Sequence, residues 1–123
     1  MKRSLVVLGH GSRSEEAVQV FKMIVAEIEK KSSFDIVKGA HMELAEPQLD
    51  DTVESLVENG MNMIIIAPYF LYEGMHIKKD IPEMIEHLSE KYPHVDIRLA
   101  RPIGFEPVLA DIVLKRADEA EKS

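Results

Sequence analysis

Two short stretches of the chain are apolar at nearly every position, and residues that favour turns bound both of them. They are residues 4–9 (SLVVLG) and 63–67 (MIIIA). Short continuous runs rich in β-branched residues are typical of strands buried on both faces of a sheet. Residues 34–44 and 95–100 instead alternate between apolar and polar positions. Alternation is typical of a strand with one covered face, so we expect these two strands at the sheet edges.

Helical periodicity follows the first two strands. After the turn at residues 10–14, helix one has an apolar face formed by Ala17, Val18, Phe21, Ile24, Val25 and Ile28. Ser12 and Glu15 have the spacing of a capping box. Helix two is predicted to open at Glu46-Pro47, with Glu46 as its cap and proline at the first helical position, and to stop at Gly60. Its buried stripe is Leu49, Val53, Leu56 and Val57.

Two further helices are predicted after the third and fourth strands. Helix three is predicted to follow Pro82 and to end at Tyr92-Pro93, with Met84, Ile85 and Leu88 facing inward. Helix four is predicted to begin at Glu106-Pro107 and to carry Val108, Leu109, Ile112 and Val113. The charged tail after Ala117 is expected to fray.

Four strand–helix units in succession predict a parallel sheet with right-handed crossovers, in one α/β domain spanning residues 1–123. Placing the two apolar strands at the centre gives the order 2-1-3-4. This is the flavodoxin-like doubly wound order, whose topological switch point lies between strands one and three.

Two histidines follow the two central strands. His10 comes directly after strand one, and His76 lies in the loop after strand three. Ligands of open α/β sheets bind at the carboxyl ends of strands, at the switch point, so we expect the two imidazoles on either side of one crevice. Glu43 ends strand two beside His10, and Arg101 ends strand four beside the His76 loop.

Composition narrows the chemistry of this crevice. The chain has no cysteine, so disulfides, thiolate metal sites and cysteine nucleophiles are excluded. Two imidazoles and a carboxylate suit Co²⁺, Ni²⁺ or Fe²⁺ better than Mg²⁺ or Ca²⁺. The net charge of −7 argues against a nucleic-acid partner. No stretch is long enough to span a bilayer, and the first apolar run is too short for a signal peptide, so we expect a cytoplasmic protein.

Other interpretations of these residues stay open. Two loop histidines can serve only as hydrogen-bonding groups, and residues 9–13 (GHGSR) could cradle a phosphate at a helix start. A mutase-type histidine phosphatase has arginine before its histidine, whereas here that position is Gly9, which disfavours this class. We expect a structural role for His41, and His87 and His94 are expected to be solvated.

Four segments in order resemble a known family. They are VVLGHGSR (6–13), MELAEP (42–47), APYFLYEGMHIKKDIP (67–82) and RPIG (101–104). Together they resemble the short class II chelatases, the single-domain, archaeal-type group that inserts a metal into sirohydrochlorin. The resemblance covers nearly the whole chain. Some relatives carry a histidine-rich insertion between helix three and strand four, but this chain has only residues 90–94 there, so no metal-storage loop is expected.

The resemblance implies an enzyme with specific site residues. His10 and His76 would bind the metal and act in catalysis, and Glu43 would accept pyrrole protons. The divalent metal, cobalt first with nickel or iron as alternatives, is a substrate, and no permanent cofactor is expected. The short forms are similar to half of the longer chelatases and act as homodimers. Residues expected to bind the tetrapyrrole are Arg13, Tyr69, Phe70, Tyr72, Gly74, Lys78 and Arg101. The alternative class is a non-enzymatic metal or tetrapyrrole carrier.

Overall fold

The computed structural model describes residues 1–123, apart from the side chain of His76. Strands and helices alternate along the described chain. The strands are β1 (Arg3–Gly9), β2 (Ile36–His41), β3 (Met63–Pro68) and β4 (Asp96–Leu99). The helices are α1 (Glu15–Lys31), α2 (Leu49–Glu58), α3 (Met75–Lys91) and α4 (Pro107–Lys122). No helix among the described residues is long and apolar enough to cross a lipid bilayer.

The sheet is entirely parallel and has the order β2-β1-β3-β4, as predicted. Leu8 near the end of β1 pairs with Ala40 of β2 and with Pro68 of β3. The carboxyl ends of the three strands therefore lie level with one another. Edge strand β4 has no fully buried residue, which confirms that alternation marked an exposed strand.

The main core lies between the sheet and the pair α2 and α3. Central-strand residues Val6, Leu8, Ile64 and Ile66 pack there with the buried side chains of the two helices, namely Leu49, Val53, Leu56, Ile81 and Leu88. The predicted stripe of α2 is thus confirmed. Helix α1 covers the other face less completely, since its predicted apolar face is half-buried apart from the exposed Ala17.

Strand β2 is shorter than predicted, and α2 begins later. Its ladder with β1 ends at His41, because residues 42–47 form a loop in which Leu44 has a positive φ of 66°. The loop returns so that the backbone N–H of His41 donates to the carbonyl oxygen of Pro47 at 2.9 Å. The N-cap of α2 is Gln48, so Glu46 is not a cap and Pro47 is not the first helical residue.

The starts of α1 and α3 also differ from prediction. Ser14, not Ser12, is the N-cap of α1, and its hydroxyl accepts a hydrogen bond from the backbone N–H of Ala17 at 3.3 Å. Helix α3 begins at Met75 and continues through Pro82. Proline removes one helical hydrogen bond, but Ile81 beside it is fully buried in the core, and this packing holds the helix across the proline.

Helix α4 starts where predicted, with Glu106 as N-cap and Pro107 in its first turn. It does not fray after Ala117 but runs to Lys122. The ion pairs Arg116–Glu119 and Lys122–Asp118, both at 2.9 Å, span one helical turn and support this last segment. No residue of α4 is buried.

Candidate functional site

His10 lies at the carboxyl end of β1, exposed on one side and supported by an aromatic ring on the other. The centroids of the His10 and Phe70 rings are 3.9 Å apart, and the rings are tilted by 32°. Phe70 is only 3% exposed, although the sequence analysis had assigned it to the tetrapyrrole pocket. Its carbonyl oxygen accepts a hydrogen bond from Ile103 at 2.9 Å, which ties the loop after β3 to the loop after β4. Phe70 is therefore a fixed support for the His10 imidazole.

Glu43 is held beside His10 by the backbone. The N–H of Glu43 donates to the carbonyl oxygen of His10 at 3.3 Å, and the N–H of Met42 donates to that of Gly9 at 2.9 Å. These bonds bring the loop after β2 against the turn after β1, which is where the sheet topology had placed Glu43. Gly11, with a positive φ of 96°, lies at the contact point.

A cleft of about 490 Å³ opens between this loop, the start of α2 and one face of α3. Its polar lining consists of His10, Glu43, Asp50, Asp80, Glu83 and His87. Met42, Ile77 and Met84 supply apolar walls. Among the described residues that line the cleft there is no lysine or arginine. Four carboxylates in one concave space create a negative potential, which favours a cation.

Sequence reasoning missed four polar residues of this cleft: Asp50 at the start of α2 and three residues of α3. Asp80, Glu83 and His87 are spaced at i, i+3 and i+7 along the helix and so lie on one face. A helix that started after Pro82 would not include Asp80, and His87 was expected only to be solvated. Ile77 and Ile81 continue the helical spacing of Met84, Ile85 and Leu88, and this signal would have placed Asp80, Glu83 and His87 on one face of a longer helix.

His76 is the second predicted metal ligand, and its side chain lies outside the described part of the structure. Its position falls in the first turn of α3, whose N-cap is Gly74, rather than in a loop. Among the described side chains, no three histidine or carboxylate groups converge closely enough to hold a metal ion. The pairing of His10 with His76 therefore stays a prediction.

The predicted substrate-binding residues do not share one pocket. Arg13 lies in a groove beside the start of α1, together with Glu15 and Lys22. Lys78 and Arg101 line a different groove with Glu73. Tyr72 is exposed next to Phe105 on the α4 side. These residues surround the carboxyl ends of the strands on several sides.

A smaller apolar slot of about 210 Å³ lies on the α1 side of His10, and Tyr69 is part of its wall. His41 also lines it and is only 4% exposed. The pKa of His41 is lowered, first by burial and then by the charge of Lys22, while Glu46 acts in the opposite direction. The His41 imidazole is therefore neutral at pH 7.

The fold agrees with known proteins. The CbiX family model matches residues 4–120. The chain belongs to the CbiX family. It is 33% identical to the sirohydrochlorin cobaltochelatase of Methanopyrus kandleri, over 95% of this chain and 96% of that protein. The crystal structure of a CbiX protein of Marinobacter aquaeolei VT8 superposes with a TM-score of 0.84 at 34% identity, covering 98% of this chain and 99% of that one.

Several other proteins that match are about twice as long. The sirohydrochlorin chelatase SirB of Bacillus subtilis subspecies spizizenii, solved in complex with cobalt, gives a TM-score of 0.91 at 29% identity. The match covers 97% of this chain and 51% of SirB. The chain thus spans about half the length of several of the chelatases that it matches.

Proposed function

We propose that this chain is a sirohydrochlorin chelatase: it exchanges two pyrrole protons of the tetrapyrrole for one divalent metal ion. The observation that carries the proposal is the position of Glu43, whose backbone N–H is bonded to His10 at the mouth of an acidic cleft. A carboxylate whose backbone is bonded beside an exposed imidazole can accept protons next to a bound metal. Similarity to named chelatases over nearly the full chain supports the same reaction.

The histidines, the acidic cleft and Glu43 have different roles in this exchange. The imidazole nitrogens of His10 and His76 hold the metal, and the acidic cleft raises the local concentration of cations near them. As the metal passes to the ring nitrogens, two N–H bonds break and two metal–nitrogen bonds form in their place. Glu43 takes the released protons as general base and passes them to solvent. The metal is consumed as a substrate, and the reaction needs no permanent cofactor.

The substrate is a polycarboxylate, whereas the chain is acidic, so local cations must dock it. Arg13, Lys78 and Arg101 are the proposed docking cations. Tyr69, Tyr72 and Gly74 belong to the proposed binding surface, and Phe70 contributes through its contact with His10. Cobalt is the proposed physiological metal, since the Methanopyrus kandleri relative, of which this chain covers 96%, is named a cobaltochelatase. We propose that the reaction takes place in the cytoplasm.

A symmetric homodimer is the proposed working form. The match covers 51% of the SirB chain, so two copies of this chain have about the length of one SirB chain. Helix α4 also exposes apolar surface: Val108, Ile112 and Val113 lie on one side of it and are exposed, and Phe105 before it is 89% exposed. An apolar helix face of this kind is unusual on a monomer, and a second copy would bury it.

The test follows the visible absorption of sirohydrochlorin with Co²⁺, Ni²⁺ or Fe²⁺, with and without protein. Acceleration by wild type and its loss in His10→Ala are expected. His94→Ala is the matched control, because His94 is an exposed histidine outside the described clefts. A protein that binds metal and macrocycle without accelerating insertion would instead be the carrier. His10→Ala with wild-type turnover would remove His10 from the mechanism.

A further inference from the structure

The interior of the apolar slot on the α1 side of His10 is not used by the proton and metal transfers described above, although Tyr69 in its wall belongs to the proposed binding surface. Its walls are the turn after β1, the α1 residues Val18 and Phe21, and the side chains of Tyr69 and His41. His10 lines both this slot and the acidic cleft. The two spaces therefore meet at the residue that holds the metal.

His41 is the unusual member of the slot wall. Its backbone N–H donates to Pro47, and its ring lies 4.9 Å from the ring of Phe21, so the residue is fixed in place. Yet its Nδ1 atom is buried without a hydrogen-bond partner among the described residues. Buried polar side chains are nearly always hydrogen-bonded, and an exception in a cavity wall points to a group that arrives from outside the chain.

Charge distinguishes the two sides of His10. The groove that holds Arg13 and Lys22 shares Ser12 and Val18 with the slot, so two cations lie at its border. The opposing charges are Glu15 in the same groove and Glu46, whose charge acts on His41. The cleft on the other side has four carboxylates and, among its described lining residues, no cation. An anionic group is therefore favoured on the α1 side and repelled from the cleft.

We propose that this slot is a subsite for one carboxylate-bearing arm of the tetrapyrrole, and that the imidazole of His41 is the hydrogen-bond donor to that carboxylate. The apolar walls formed by Val18 and Phe21 suit the methylene carbons of the arm. A neutral imidazole has one N–H donor, and a carboxylate only accepts, so the two groups are complementary. The inference rests on the proposed function. It adds that the two substrates reach His10 from different sides: the tetrapyrrole arm enters from the α1 face, and the metal enters from the acidic cleft.

The first experiment titrates metal-free sirohydrochlorin into His41→Phe and measures Kd from the visible spectrum, with KM for insertion measured in parallel. Phenylalanine keeps a ring against Phe21 but has no donor. Kd and KM are expected to rise about ten-fold or more, the loss that a missing hydrogen bond to a charged group brings. His41→Gln restores an N–H donor and should recover part of the affinity.

Thermal unfolding separates binding from structure. Because His41→Phe removes a buried polar atom that has no partner, its Tm should equal or exceed that of wild type. A structural histidine with an essential partner would behave in the opposite way, and a lower Tm would count against the proposal. Folded His41→Phe with wild-type Kd and KM would overturn it.

A second pair of variants closes the slot without touching His41. Ala17 is exposed on α1 and lines the slot, whereas Ala26 is exposed on the same helix away from it. Ala17→Leu should raise Kd, and Ala26→Leu should not; equal values would overturn the assignment of the slot. If wild type fails to accelerate insertion but His41→Phe still loses affinity for the macrocycle, the subsite stands and the proposed enzymatic function fails.

Discussion

A β-carbon placed on Gly11 would lie 1.6 Å from the carbonyl oxygen of Glu43. No side chain fits in this contact, so only glycine lets the turn after β1 and the loop after β2 approach so closely. The approach is what places the proposed proton acceptor next to His10. Gly11 is therefore needed for the geometry of the site although it carries no chemistry itself.

Gly11→Ala is expected to lose most of its insertion activity and to unfold more easily. Gly60→Ala is the matched control, because Gly60 also has a positive φ, 82°, but an added β-carbon there meets nothing within 4 Å. The free energy of unfolding of the control should fall by only about 1–2 kcal/mol, the cost of placing alanine in the left-handed conformation. Chemical denaturation and turnover would be measured on both, and a Gly11→Ala protein as stable and active as Gly60→Ala would contradict the contact.

Phe70→Leu tests whether the ring under His10 orients the imidazole. It should lower the free energy of unfolding by about 1–2 kcal/mol, since a buried aromatic contact is lost. It should also weaken Co²⁺ binding, measured by calorimetry, because His10 loses its support. Phe34→Leu removes another aromatic contact, the one with Arg3 at 4.3 Å, at the opposite end of the sheet. That control should lower stability without changing Co²⁺ affinity; equal effects on metal binding would refute a specific role for Phe70.

The strand order could be predicted because hydrophobic pattern and burial agree at this level. In β3, Ile64 and Ile66 are fully buried but Ile65 between them is only half-buried, so this strand is not covered equally on both faces. Strand β4 has no buried residue, as expected at an edge. The place of Glu43 beside His10 followed from the order alone, since adjacent parallel strands end at the same edge. These inferences needed only periodicity and topology.

The boundaries of the site elements could not be predicted, because tertiary contacts decide them. Pro82 is a local signal for a helix start, but the burial of Ile81 outweighs it, and α3 gains the turns that contribute Asp80 and the helical position of His76. In the same way, Glu46-Pro47 has the local pattern of a helix start, but the hydrogen bond from His41 to Pro47 keeps it in the loop. The acidic cleft can be recognised only when α3 is started at Met75 and Glu46-Pro47 is placed in the loop before α2.

Stability should depend on pH through His41. Its folded pKa lies below the unfolded value of about 6.5, because burial and Lys22 disfavour the charged ring. Between the two pKa values the unfolded chain binds more protons than the folded chain. The contribution of His41 to the free energy of unfolding is therefore complete above about pH 6.5 and is lost as the pH falls toward the folded pKa. The difference in Tm between His41→Phe and wild type should therefore grow in favour of the variant from about pH 7.5 to 5.5. A difference independent of pH would contradict a depressed pKa.

Val113→Glu tests the dimer proposed through α4. Val113 is 67% exposed, so a carboxylate there should leave monomer stability within about 0.5 kcal/mol of wild type. In a dimer that buries this face it should shift sedimentation toward the monomer and reduce activity. Ser33→Glu, the same change of charge at an exposed position after α1, is the control and should sediment like wild type. A wild type that is monomeric and fully active at working concentration would remove the dimer from the proposal.

Glu43→Gln separates metal binding from proton removal. The substitution keeps the size of the side chain and the backbone hydrogen bond to His10, but glutamine is not a base at neutral pH. If Glu43 is the proton acceptor, Co²⁺ affinity should stay close to wild type while kcat falls by about 10²–10⁴-fold, as is typical when general-base catalysis is lost. Calorimetry with Co²⁺ and the absorption assay would be run on the same preparation, with Glu46→Gln as the control in the same loop. Metal affinity that falls in proportion to the rate would make Glu43 a ligand. An unchanged rate would assign the base to another group, and His41, which lines the slot next to His10, would be the next residue to test.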